Sequence, residues 1–148
     1  LKKWFKMKFE IIYFYNVYGK NQIKKGKMAT VIGIFENQYQ NNKPLTVVKP
    51  GTQSRRFTHI SDTVNMCFYA WKVNKCKHYS ISHKKSYSII NVAKLFKTKI
   101  KYLSNRQGER YASALTYMSY NNKVIGHYGR INLKDYITSF IKTKKKKI

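Results

Sequence analysis

Segments with helical periodicity alternate with segments of strand periodicity along the whole chain, and this alternation restricts the fold more than any other feature. It predicts an α/β architecture. No glycine-rich turn of the phosphate-cradling kind joins a predicted strand to the helix after it, so the 148 residues do not make a complete dinucleotide-binding domain. No internal repeat is visible, which sets helical and propeller arrays aside.

Residues 1–8 read as the end of a helix and 9–15 as a buried strand rich in Ile and aromatic side chains. A loop over 16–26 follows. Residues 28–40 support an amphipathic helix with Val31, Ile34 and Phe35 on one face, stopped by Asn41-Asn42-Lys43-Pro44. Residues 45–48 and 57–60 read as two strands flanking a turn at Pro50-Gly51. Ser61-Asp62 reads as a helix start, with Val64, Cys67, Phe68 and Trp71 as the core face behind it. Further on, 78–82 and 99–103 are predicted strands, and Ser88 is a predicted cap for a helix over 89–96. A polar loop over 105–115, a short helix over 117–126 and a last helix over 133–142 complete the reading. Leu133, Tyr136, Ile137, Phe140 and Ile141 have helical spacing in that last helix, and the tail 144–147 reads as solvated.

Lys and Arg total 31 against 5 Asp and Glu, a formal charge of +26, which points to an anionic partner. Only Arg55, Arg56, Arg106, Arg110 and Arg130 are arginines, whereas readers of base edges and phosphate clamps favour the planar guanidinium. The preferred reading is therefore a solvated, compositionally biased surface; a small basic nucleic-acid-binding protein is the alternative. Cys67, Cys76, His59, His78, His83 and His127 show no metal-ligand spacing, so no metal is expected. Free thiols in a reducing, cytoplasmic setting are expected instead. Glu10 and Asn16 interrupt the basic-then-apolar start that would otherwise look like a secretory signal, and no apolar run has the length of a membrane span.

Several segments then match a known family in order and spacing. Tyr13-Phe14-Tyr15-Asn16-Val17-Tyr18-Gly19 resembles "RYFNVYG", Val31-Ile32-Gly33-Ile34-Phe35 resembles "VIPxF", and the segment from Gly51-Thr52-Gln53 through Arg55-Arg56-Phe57 to Ser61-Asp62 resembles "GTQTRDFVHVDD". Tyr79-Ser80-Ile81-Ser82 with Ser88-Ile89 is similar to "YNIG…SI", and Arg106-Gln107-Gly108-Glu109 to a late "RxGE/D" loop. These are motifs of the extended short-chain dehydrogenase/reductases, the NAD-dependent nucleotide-sugar epimerases and dehydratases. UDP-glucose 4-epimerase-like members are the most similar. The resemblance covers about residues 9–142.

It implies the C-terminal part of an extended Rossmann-type epimerase: the last Rossmann helix and strand over 1–19, a small mixed α/β substrate-binding domain over 20–143, and a basic tail over 144–148. In that family a nicotinamide cofactor removes hydride from a ring carbon of a nucleotide sugar and returns it to the other face, or drives a dehydration. The implied partner is a UDP-sugar, and the full-length protein is compatible with a homodimer. Asn16 matches the asparagine that contacts phosphate or sugar; Arg55 and Arg106 match the arginines that grip the diphosphate; Glu109 matches an acceptor for the ribose hydroxyls. Met28, Ala29, Thr30 and Val31 match the loop and helix start that close over the nucleotide, and Tyr15 falls on the cofactor side.

Each residue also has a plainer reading. Asn16 suits a turn, the arginines suit a solvated surface, Glu109 suits a loop ion pair, Asp62 suits a helix cap, and the aromatic cluster over 13–18 suits a core. The chain departs from the pattern at Tyr13, Lys20, Gly33 and Arg56, which stand where the family has Arg, Pro, Pro and Asp. The "NIG" strand end is Ser80-Ile81-Ser82 here. The family's chemistry needs a Tyr and a Lys four residues apart, the Lys lowering the Tyr pKa. Tyr13, Tyr15 and Tyr18 have no such Lys, so no catalytic residue is assigned and the pair is expected upstream of Leu1. NAD is expected in the full-length protein and not in this chain alone. A catalytically inactive fragment is the third reading.

Overall fold

The computed structural model describes residues 2–75, 77–104 and 124–145. Its elements run α1 (Lys2–Phe5), β1 (Ile11–Phe14), β2 (Val17–Tyr18), α2 (Val31–Gln40), β3 (Leu45–Val48), β4 (Ser54–Arg56), β5 (Thr58–His59) and α3 (Ile60–Val73). They continue with β6 (His78–Ser82), β7 (Ser86–Ser88), α4 (Ile89–Leu95), β8 (Ile100–Leu103), β9 (Val124–Tyr128) and α5 (Leu133–Lys145). The α/β alternation is as the sequence predicts. Among the described residues no helix is long and apolar enough to cross a membrane.

Strand order β1-β6-β9 makes a three-stranded sheet, parallel throughout, with Ile11 opposite His78 and His78 opposite Val124. The sheet is thus assembled from segments on both sides of residue 19. Parallel pairs β2 with β5 and β3 with β8, and the antiparallel pair β4 with β7, make up the remaining strand contacts. Two apolar clusters result. The larger joins Ile32 and Phe35 of α2, Leu45 and Val47 of β3, Val92, Ala93 and Phe96 around α4, and Leu133 and Ile137 of α5. The smaller joins Met66 and Ala70 of α3 to Tyr79 and Ile81 of β6, with Ile12 of β1 against it.

Several elements differ from the sequence reading, each for a packing reason. Strand β1 is not buried, because among the described residues it has a neighbour only on the β6 side; Phe14 is 54% exposed. Helix α3 turns Thr63, Met66 and Ala70 inward and leaves Val64, Phe68 and Trp71 exposed. Apolar residues surround this helix almost completely, so periodicity offers two faces, and the small Ala70 and Thr63 permit the closer approach to the sheet. The strands flanking Pro50-Gly51 are present as read, with the additional strand β4 between them; β3 pairs with β8 and β5 with β2. Residues 124–126, read as helix, lie in strand β9, paired with β6. The predicted loop over 105–115 lies outside the described residues, as do residues 117–123.

Helix starts are capped as short polar side chains allow. Ser88 Oγ accepts from the Asn91 amide at 3.3 Å, as predicted, and Asn132 Oδ1 accepts from the Lys134 amide at 2.9 Å. The cap of α3 is His59 rather than Ser61 or Asp62: its Nδ1 accepts from the Ser61 amide at 3.2 Å. Asp62 has a different task. It is buried, and its Oδ2 accepts from the Ile131 amide at 3.0 Å, so the first turn of α3 holds the turn between β9 and α5.

The cap makes His59 a pH-dependent element, because only the neutral imidazole can accept at Nδ1. Burial lowers the His59 pKa from 6.5, opposed by the nearby Asp62 carboxylate. A depressed folded-state value means that the unfolded chain binds the proton more readily. Its contribution to stability is present above about pH 6.5 and is lost as pH falls through the folded-state value. His59→Asn, which caps without titrating, is expected to flatten the fall in melting temperature between about pH 7 and pH 5 relative to the native chain. Parallel pH profiles of the two proteins would show His59 to be uninvolved.

Candidate functional site

Three separated stretches converge on one cavity of about 410 Å³. The turn after β1 contributes Asn16 and Val17, the start of α2 contributes Ala29, Thr30 and Val31, and β4 contributes Arg55. Ile34 and Phe35 of α2, Phe57, Ile89, and Val48 and Leu103 from facing positions of β3 and β8 form an apolar wall. Thr46 and Gln53 add polar atoms. The size is within the roughly 300–1,000 Å³ typical of small-molecule sites, and so is the mixture of an apolar wall with few polar groups.

Asn16 adopts φ of 39°, a left-handed conformation that Asn tolerates better than most residues. Its Nδ2 donates to the Arg56 carbonyl at 2.9 Å and its carbonyl accepts from the Thr58 amide at 3.3 Å. The turn reading is therefore correct, and it coexists with a place on the cavity wall. Among the described residues, one amide hydrogen and Oδ1 stay available beyond that contact.

Arg55 and Arg56 diverge. Adjacent residues on a strand point to opposite sides. Arg55 lines the cavity and donates from Nη1 to the Ser54 carbonyl at 2.8 Å, whereas Arg56 reaches the carbonyls of His83 and Lys84. Where the family pattern has Asp, Arg56 ties β4 to the β6–β7 connection.

Thr30 is the cap of α2: its Oγ1 accepts from the Gly33 amide at 3.0 Å and donates to Gln22 Oε1 at 2.8 Å. The amides of Ala29 and Thr30 donate within the loop, to Gly26 and Ile23 carbonyls at 3.2 and 3.1 Å. Fewer amides therefore face the cavity than the sequence suggests. By helical geometry Val31 and Ile32 keep the free N–H groups of the first turn. Gly33 is required where the family has Pro, because a Cβ there would strike the Ile23 carbonyl.

The remaining expected residues are placed differently. Met28 is 79% exposed and lies outside the cavity lining; Tyr15 is buried at the end of β1 and is not part of it either. Arg106 and Glu109 lie outside the described residues. Sequence reading did not find Thr46, Gln53, Phe57 or Leu103. Gln53 sits inside the matched "GTQ" segment, which was a usable signal, but nothing local announces that Leu103 faces Val48 across 55 residues.

Comparison with known proteins agrees with the fold. The model of the NAD dependent epimerase/dehydratase family matches residues 2–89. No curated protein matches significantly in sequence. Among solved structures, a UDP-glucose 4-epimerase from Thermotoga maritima with UDP-glucose superposes with a TM-score of 0.79 at 20% identity, covering 99% of this chain and 48% of that one. A UDP-glucuronic acid 4-epimerase from Bacillus cereus, in complex with UDP-glucuronic acid and NAD, gives 0.72 at 22% identity over 99% and 48%. A dTDP-glucose 4,6-dehydratase from Streptomyces venezuelae gives 0.76 at 12% identity over 98% and 46%. The chain spans about half the length of these structural neighbours.

The cap at Thr30 is the local contact most open to test. Thr30→Val keeps the shape but removes both hydrogen bonds, and is expected to cost about 1 kcal/mol, read as a lower urea midpoint. An unchanged midpoint would mean that the start of α2 does not depend on this side chain.

Proposed function

We infer, for a chain that belongs to the NAD dependent epimerase/dehydratase family, that the cavity beside α2 binds the nucleotide of a nucleotide sugar, specifically a UDP-sugar. The observation that carries this reading is the convergence of Asn16, Thr30 and Arg55, drawn from three separate segments, on one cavity with an apolar wall. A nucleoside diphosphate needs that combination: a charge-assisted donor and free amides for the phosphates, and an apolar surface for the base.

In this reading Arg55 supplies the guanidinium for the diphosphate, and the free amides at the start of α2 supplement it. The spare donor and acceptor of Asn16 orient phosphate or sugar. The apolar wall formed by Val48, Phe57, Ile89 and Leu103 takes the face of the pyrimidine. By the family pattern, the remaining diphosphate and ribose contacts are assigned to Arg106 and Glu109, which lie outside the described residues.

NAD is assigned to the full-length protein rather than to this chain alone. No glycine-rich turn occurs in the sequence, and Tyr15 is buried away from the cavity. No chemical step is assigned to these residues. In the full-length enzyme, which epimerises a UDP-hexose by transient oxidation, the nicotinamide half packs against the free edge of β1 and the exposed apolar face of α3. Parallel sheets are stable when covered on both faces, and among the described residues β1 has an open edge. Ile60, Val64, Phe68 and Trp71 are 44 to 71% exposed, a row of apolar side chains fit for such contact.

The direct test is thermal unfolding with and without UDP. A ligand that binds only the folded state at about 100 times its Kd adds about 2.7 kcal/mol, several degrees for a domain of this size. Arg55→Ala is expected to weaken UDP binding by about ten- to a hundredfold, the loss of one charge-assisted hydrogen bond. The isolated chain is expected to turn over no UDP-sugar. No response to UDP, together with salt-sensitive binding of single-stranded nucleic acid, would replace this reading with a polyanion-binding one.

A further inference from the structure

A second cavity, about 540 Å³, lies between the segment after Gly19, α2 and α5. Glu36 forms part of its lining, 1% exposed, in a helix whose neighbouring inward positions are Ile32 and Phe35. A buried carboxylate is unfavourable unless paired and hydrogen-bonded. This one is both. Lys24 Nζ lies 3.1 Å from Glu36 Oε2, and Tyr136 Oη donates to Glu36 Oε1 at 2.7 Å. Burial first, and then the hydrogen bond to Glu36, push the Tyr136 phenol well above its ordinary value, so it stays a donor.

The segment has a second polar anchor. Gln22 lies near the same phenol, although its buried Nε2 makes no hydrogen bond among the described residues. Gln22 Oε1 accepts from Thr30 Oγ1, which caps α2 and lines the first cavity. Two sets of polar contacts thus hold the segment, Lys24 with Glu36 and Tyr136, and Gln22 with Thr30. The segment 19–30 that they fasten carries four lysines, Lys20, Lys24, Lys25 and Lys27, and no acid of its own. Mutual repulsion favours expansion of such a segment. Glu36 is the carboxylate that meets it.

We propose that Glu36 is a positioning residue for the first cavity: by holding Lys24 and Tyr136 it fixes segment 19–30 in the conformation that presents Ala29 and Thr30 to the ligand. The consequence for affinity rests on the nucleotide reading of that cavity; the consequence for the segment does not.

The test uses Glu36→Met, which keeps the volume and removes the charge, and Glu36→Gln, which keeps the shape and serves if the first variant fails to fold. Two measurements are made on each: the UDP dissociation constant, and amide hydrogen exchange without nucleotide. Positioning predicts faster exchange at the Thr30 and Gly33 amides, with the Ile90 amide, bonded to the Gly51 carbonyl at 2.9 Å, unchanged. It also predicts a UDP dissociation constant about tenfold higher even where the melting temperature is unchanged or raised. Lys24→Met should produce the same pattern. A folded variant with native exchange at Thr30 and Gly33 would overturn the proposal, as would native UDP affinity in a variant whose segment is loosened. Failure of the native chain to bind UDP would instead remove the nucleotide reading, and the exchange result would still decide whether Glu36 holds the segment.

Discussion

With 31 basic residues and five acidic ones, this chain has few means of neutralising charge internally. Two of the five carboxylates, Glu36 and Asp62, are nevertheless buried. Each receives a donor from the C-terminal part of the chain: the Tyr136 hydroxyl for Glu36, the Ile131 amide for Asp62. The placement of α5 depends on these two contacts as well as on Leu133 and Ile137, which bury in the main core. Tyr18 completes the junction, donating to the Ile131 carbonyl at 3.1 Å while its ring meets those of His59 and Tyr136 at centroid separations of 5.3 and 5.0 Å. Burial and the Asp62 charge hold its phenol protonated.

That junction bears on the site through the segment between β2 and α2. The segment has Lys20 and Lys24 on one cavity and Ala29 and Thr30 on the other. It is a shared wall. Its conformation is fixed by a side-chain network at one end and by the Thr30 amide donating to the Ile23 carbonyl at the other, where Gly33 leaves room that a Cβ would take. The cavity beside α2 is thus shaped by residues as far apart in sequence as Lys24 and Tyr136, neither of which lines it.

Much of the fold was legible locally. Strand β6 occupies the predicted residues 78–82, and Ser88 caps α4 as its position before an apolar run suggested. The motif order also brought Asn16, Ala29, Thr30, Val31 and Arg55 together before any geometry was available, and they share one cavity. Helix α3 was legible as a helix but not in its orientation, since an apolar residue is available on nearly every face and only the sheet decides which packs inward. Glu36 escaped notice for the opposite reason: one acid on a mainly apolar helix reads as a solvent-facing position until Lys24 and Tyr136 are seen to enclose it.

The sequence by itself determined the α/β alternation, most of the helix and strand segments, the family resemblance and the absence of a glycine-rich cofactor turn, because each depends on residue type and short-range spacing. Only the tertiary structure decided that His59 caps α3, that Arg55 and Arg56 part company, that Val48 meets Leu103, and that α3 leaves Val64, Phe68 and Trp71 uncovered. The division has a physical cause. Periodicity and capping preferences are properties of a few consecutive residues, whereas pairing and burial depend on which distant segment arrives to compete for the same face.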